Sequence, residues 1–187
     1  MKQVLAILFA TAFTWLVAWS AGKCLFQALR IKLYRSEERF LCFVGGAACL
    51  SLTVFVLTAL RLAYTGVFLA AGMALVVVAW RRGALKRSTK RLPALPPGWR
   101  AAFFAVYSVY ACLYVANALI PDISADGLAY HVALPARYLR EHGFPANPGF
   151  FIMYLSEGVE MLYLFAFAFG RHSAAAMVHL EIGRAHV

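Results

Sequence analysis

Four stretches of the 187-residue chain carry no charged side chain and are each about as long as a bilayer core is thick: 3–22, 40–60, 62–80 and 101–121. A helix crossing the hydrocarbon needs about 20 predominantly apolar residues. Within lipid every backbone N–H and C=O must be satisfied by the chain itself, which leaves helices and closed barrels. A barrel strand alternates apolar and polar residues over about 10 positions, and these runs do not alternate. The expected fold class is therefore all-α, a polytopic transmembrane helix bundle.

Composition agrees. The chain is 63% hydrophobic and 14% charged, where a soluble domain is nearer half apolar and a quarter charged. The formal net charge of +10 would suit nucleic acid if it lay on a soluble face. Here the basic residues fall between the apolar runs, so the positive-inside reading takes precedence and no nucleic-acid partner is expected. Cys24, Cys42, Cys49 and Cys112 lie in or beside apolar segments without CxxC spacing. They read as small buried hydrophobes rather than a disulfide frame or metal site.

The first run has a competing explanation, a signal peptide, because Lys2 precedes it and Ala-Trp-Ser-Ala-Gly closes it. Its apolar part exceeds the roughly 7–15 residues of a signal core, and a retained span is the preferred reading. Between the first two runs, 23–39 carries five basic residues against Glu37 and Glu38. It is expected to be a solvated loop with some helix lying along the membrane surface. The segment 81–100 has seven basic residues, no acid, and Pro93, Pro96 and Pro97, which deny it a continuous helix. Two spans separate these basic segments, so both fall on the cytoplasmic side, and 121–157 falls outside. Gly45-Gly46 and the Ala/Gly-rich third run permit close helix packing, although no GxxxG motif is present.

Only two of the eight acids, Glu37 and Glu38, precede Pro121; Asp122, Asp126 and Glu141 then come within twenty residues. Carboxylates placed beside a span are costly and mark candidate function. Ser124 or Asp126 can cap a helix, which is expected to run to about Ala133. Pro135 should open a second helix, to His142, with Gly143 as the stop. Leu128 and Val132 share one face, as does Leu139 on the second helix, leaving Arg137, Arg140 and Glu141 toward water. The spacing thus predicts an interfacial helix pair in an external loop.

The run Asp-Gly-Leu-Ala-Tyr-His-Val-Ala-Leu-Pro-Ala-Arg-Tyr-Leu (126–139), with Asn147 and Val-Glu-Met-Leu-Tyr-Leu (159–164), resembles the first large external loop of membrane-embedded GT-C glycosyltransferases. The resemblance is to bacterial members that use polyprenyl-phosphate-linked sugars, the mannosyltransferase-like and aminoarabinose-transferase-like group, and it covers about 122–180. It implies a multi-pass protein of the bacterial inner membrane with the active-site loop extracytoplasmic. The chain departs from the family in two respects: Met153-Tyr-Leu-Ser-Glu stands where a proline often precedes the Glu-Met-Leu run, and three spans precede the one leading into the Asp loop.

What the resemblance implies is a sugar transferred from a lipid-linked donor to an extracytoplasmic acceptor, with Asp126 as catalytic base and Asp122 as a second acid. A carboxylate suits removal of the acceptor proton. Arg137, Arg140 and Arg171 are available to the leaving phosphate, and Tyr130, His131 and Glu160 complete the candidate substrate-contacting set. No cofactor or metal is implied; His131 and His142 lack a third donor at ligand spacing.

Plainer readings stand beside these. Asp126 alone reads as a helix cap, Tyr130 and Tyr138 as packing aromatics, Glu160 as a structural acid bonding loop backbone, and the arginines as side chains snorkelling to headgroups. The alternative class is a non-enzymatic polytopic protein such as a transporter or flippase, which would usually place ionisable or helix-breaking residues at mid-span; the four runs hold no charge. Glu-Ile-Gly-Arg-Ala-His-Val (181–187) reads as the translation of a sequencing-library adapter and is set aside from fold reasoning. The expectation is then of the front of a longer protein, with 158–180 opening further membrane helices.

Overall fold

The computed structural model describes residues 2–119, 133–145 and 158–185, with helix positions alone for 117–119, 171–172 and 179–185. The described residues form six helices and no strand: α1 (Lys2–Ala28), α2 (Arg35–Ala59), α3 (Thr65–Arg81), α4 (Pro97–Leu119), α5 (Ala133–Glu141) and α6 (Gly158–Ala185). Three of them, α1, α2 and α4 as far as Ala116, are long and apolar enough to cross a membrane. The third uncharged run forms the 17-residue α3, whose rise of about 26 Å falls a little short of a ~30 Å hydrocarbon core.

The helices α1 and α2 pack antiparallel and very closely, because small residues let their backbones meet. A Cβ on Gly22 would overlap the Cys42 carbonyl, and one on Gly46 would overlap the Ala18 carbonyl. Ala18 and Gly22 are one turn apart on α1, as are Cys42 and Gly46 on α2. The contact is thus two small-xxx-small patterns facing each other, formed without any GxxxG. Around it Phe13, Val17, Phe43, Leu50 and Val54 are buried. Buried Thr14 and Thr58 satisfy their hydroxyls by donating to the carbonyls of Ala10 and Val54, at 2.7 and 2.8 Å. That local bond is how a hydroxyl enters an apolar interior without an orphaned donor.

Helix α6 crosses α1 where Gly170 meets Ala10 and the Ala6 carbonyl. It seals the contact with aromatic rings: Phe13 lies 5.7 Å from Phe165 and 5.4 Å from Phe169. By contrast α4 touches the rest of the described bundle mainly through α6, and none of its apolar span is buried.

Four helix ends close in the same way. Arg30, Arg61, Gly83 and His142 adopt left-handed angles, with φ of 56, 59, 64 and 58°. The residue after each donates its N–H five residues back: Ile31 to Phe26, Leu62 to Leu57, Ala84 to Ala79 and Gly143 to Tyr138, at 2.8 to 3.0 Å. This is the Schellman cap. The left-handed position at the end of α5 belongs to His142 rather than to the expected stop, Gly143, which comes one residue later. Glycine is needed at 143 for proximity, since a Cβ there would lie 2.9 Å from the Thr58 carbonyl oxygen.

Within the described residues α5 runs from Ala133 through Pro135 to Glu141. The segment 23–39 also differs from the expected solvated loop and surface helix. Helix α1 continues to Ala28 and α2 starts at Arg35, because Lys23 finds a partner across the contact and need not leave the helix for water.

Candidate functional site

Of the residues singled out from the sequence, Asp122, Asp126, Tyr130 and His131 lie outside the described residues. Arg137, Arg140 and Glu160 lie within them. Helix α5 buries Leu134, Pro135 and Tyr138, with Leu139 packed against the core and Arg140 exposed. Arg137 donates through Nε to Glu141 Oε1 at 2.7 Å, one turn along the helix and about one-third exposed.

The C-terminal end of α5 is fastened to the α2–α3 turn. Ala63 N–H donates to the His142 carbonyl at 3.2 Å. The His142 ring stacks on Tyr64 with centroids 3.9 Å apart, and its Nδ1 lies 3.3 Å from the Ala63 carbonyl oxygen. Tyr138 meets Phe144 edge-on at 5.0 Å, and Phe144 contacts Phe55 at 5.3 Å. These contacts place the last turn of α5 at the end of the bundle where α2 finishes and α3 begins.

Glu160 sits in the first turn of α6 and is 9% exposed, where a carboxylate is favoured by the positive end of the helix dipole. One turn on is buried Tyr163, within electrostatic reach of both Glu160 and Tyr114 of α4. Helices α5 and α6 pack against each other, so Arg137, Arg140 and Glu160 are carried by neighbouring elements. Of Arg171 only the position on α6 is described. Among the described residues no three His, Cys, Asp or Glu side chains gather as metal ligands would.

The strongest polar constellation is one that sequence reasoning missed, and it lies at the other end of the bundle. Lys23 of α1 pairs with Glu38 of α2, the side chains only 8% and 10% exposed. Lys23 also donates to the Lys86 carbonyl at 2.7 Å, and Glu38 accepts the Ser88 N–H at 3.1 Å. The Lys23 ammonium stands 5.6 Å from the Trp19 ring centre. Ser88 Oγ donates to the Leu33 carbonyl at 2.8 Å, and Arg35 N–H donates to the Lys90 carbonyl at 2.8 Å. The basic segment after α3 is thereby folded across the ends of α1 and α2. A buried charge pair persists only when such further bonds satisfy both ions. Its signal in the sequence is the rarity of acids before Pro121: Glu37 and Glu38 stand alone among many basic residues, and so scarce a carboxylate beside a span is itself a candidate for burial against a cation.

No family model, no curated protein and no solved structure matches the chain.

Proposed function

We propose that the protein is a GT-C-type membrane glycosyltransferase. It moves a sugar from a polyprenyl-phosphate carrier to an acceptor on the extracytoplasmic side, with Asp126 as the base that removes the acceptor proton. The reading is carried by one observation, the run 126–139 with its Asp-Gly-Leu-Ala-Tyr-His opening. Three features of the described residues support it. The carboxyl-terminal part of that run is a helix fastened to the bundle through His142 and the α2–α3 turn. Of its arginines Arg140 is exposed and Arg137 half-buried. Helix α6, which carries Glu160 in its first turn, packs against the same helix.

In this proposal the membrane is a bacterial inner membrane, the basic end of the bundle is cytoplasmic, and the loop 121–157 is external. Arg137 and Arg140 receive the leaving lipid phosphate, which positive charge stabilises as the anomeric bond breaks. Tyr130, His131 and Glu160 bound the sugar, and Asp122 serves as a second acid. The transporter reading is disfavoured by where charge is buried. Among the described residues the buried ion pair Lys23–Glu38 is near the ends of its helices and fully bonded, whereas a carrier's ionisable residues sit near the bilayer midplane.

Asp126→Asn tests the proposal when the protein is expressed and polyprenyl-linked sugar transfer is measured in membranes. Asn caps a helix as well as Asp but is not a base. Turnover should fall about 10²–10⁴-fold while the protein accumulates normally, with Asp122→Asn costing less. Undiminished transfer by Asp126→Asn removes the proposal.

A further inference from the structure

Alongside the Lys23–Glu38 pair runs a groove of about 640 Å³ between α1, α2 and α6. Its wall changes character along its length. Leu8 and Trp15 of α1 and Phe43 of α2 give it an apolar floor, and Arg35, Arg39 and Arg87 stand around one end. From Leu8 to Trp19, which also lines it, α1 rises about 16 Å, a length that matches most of a phospholipid acyl chain. The groove therefore joins a hydrocarbon-lined channel to a cluster of guanidinium groups.

The charges are uncompensated in a way that selects the ligand. Among the described residues no side-chain hydrogen bond or ion pair engages Arg35, Arg39 or Arg87. Glu38, the one carboxylate in the wall, is already taken by Lys23 and the Ser88 N–H. Guanidinium groups bind phosphate oxygens through charge-assisted, often paired hydrogen bonds. A ligand fitting both halves is amphiphilic, with one apolar chain and one anionic phosphate at its head.

We infer that this groove is a binding site for a single anionic phospholipid, its phosphate held by Arg35, Arg39 and Arg87 and one acyl chain lying along Trp15 and Leu8. The site is at the opposite end of the bundle from the α5 attachment and does not depend on the transferase reading. Ordinary attraction of basic loops to an anionic surface is diffuse and tracks the number of charges near the membrane. A groove site depends on which arginines are present.

That difference sets the experiment. The 187-residue chain carrying Trp80→Phe and Trp99→Phe retains Trp15 and Trp19 as its only indoles. It is reconstituted in phosphatidylcholine vesicles containing either brominated phosphatidylglycerol or brominated phosphatidylcholine, and quenching of the two tryptophans is compared. Phosphatidylglycerol should be preferred about tenfold at these positions, a scale set by the interaction of a few basic residues with anionic headgroups. Arg35→Gln/Arg39→Gln/Arg87→Gln should bring the preference to nearly one. Lys32→Gln/Arg82→Gln/Arg91→Gln, which removes the same charge from the same end but away from the groove, should keep it. Equal quenching by the two lipids in the protein with all its arginines overturns the inference without reference to any charge variant. So does equal loss in the two triple variants, which would mark a diffuse surface field. Displacement of the quenching lipid by added inorganic phosphate would show that the arginines take a free anion, and would likewise overturn it.

Discussion

The two ends of the bundle are fastened by different physics. At the basic end, α1, α2 and the segment after α3 are joined through ions: Lys23 and Glu38, buried together and bonded onward to Lys86 and Ser88. At the opposite end, the α2–α3 turn and α5 are joined through shape: two left-handed caps at Arg61 and His142, a ring stack, and one backbone hydrogen bond. An ionic fastening in a low-dielectric interior is all-or-nothing, because losing one partner strands the other. A fastening made of caps and rings loses stability in small increments, since each part is worth only about 1 kcal/mol.

The largest expected effect breaks the ionic end. Glu38→Leu leaves the Lys23 ammonium buried beside Trp19 without its counter-charge and should destabilise the fold by about 3–5 kcal/mol. Replacing both ions, Lys23→Met with Glu38→Leu, should recover most of that loss, because two apolar side chains of similar volume need no solvation. Unfolding in mixed micelles, followed by tryptophan fluorescence, measures both. If the double variant is as unstable as the single, the pair is contributing net stability rather than merely avoiding a stranded charge, and the contrast between the two ends narrows.

A smaller effect is expected where the ionic end rests on close backbone contact. Gly46→Ala puts a methyl group into the Ala18 carbonyl, which is backbone and has no rotamer to change. The helices must move apart, and overpacking of this kind costs about 1–3 kcal/mol. Gly66→Ala has open space around it and should be neutral or slightly stabilising, since alanine is the better helix former. The same unfolding assay separates the two glycines, and equal effects would mean that α1 and α2 are not in backbone contact at Gly46.

How much of this is legible in the sequence depends on which interactions are local. The apolar runs announce helices because a stretch of twenty uncharged residues has few other fates in lipid; α1, α2 and α4 include nearly all of theirs. The ends are harder. Helix α1 outruns its apolar stretch by six residues, and Lys23 stays within it paired with Glu38, fifteen positions away in sequence. The Ala18/Gly22 and Cys42/Gly46 contact uses small residues that fit no two-glycine motif, and pairing between helices is not written in either helix alone. The caps are partly legible, as Gly83 shows and as His142 allows, histidine being enriched among non-glycine residues at left-handed angles, but Arg30 and Arg61 are poor candidates on residue type. Their apolar successors Ile31 and Leu62, each donating to the helix's last turn, are the better signal. The candidate site divides in the same manner. Arg140's outward position and Tyr138's burial come from helical spacing around Leu134, whereas the placement of Tyr163 within reach of Tyr114 depends on how α4 meets α6.

The smallest effect sharpens the comparison at the other end, where His142 holds two opposed roles. Its φ of 58° is unfavourable for any residue with a Cβ, by about 1–2 kcal/mol. Its ring repays part of that through the stack on Tyr64 and the contact with the Ala63 carbonyl. His142→Ala keeps the strained backbone and loses the ring, so it should destabilise by about 1 kcal/mol, the scale of one aromatic pair. His142→Gly loses the same ring but also relieves the strain, so it should fall within about 0.5 kcal/mol of the unsubstituted protein, glycine's own entropy cost included. The measurement is the difference between the two variants in one unfolding series, which cancels the lost ring contacts common to both. A glycine variant no more stable than the alanine variant would show that the strain in the left-handed cap at 142 is no larger than glycine's own entropy cost. The end built on shape would then rest on its ring contacts and backbone hydrogen bonds with little strain to offset.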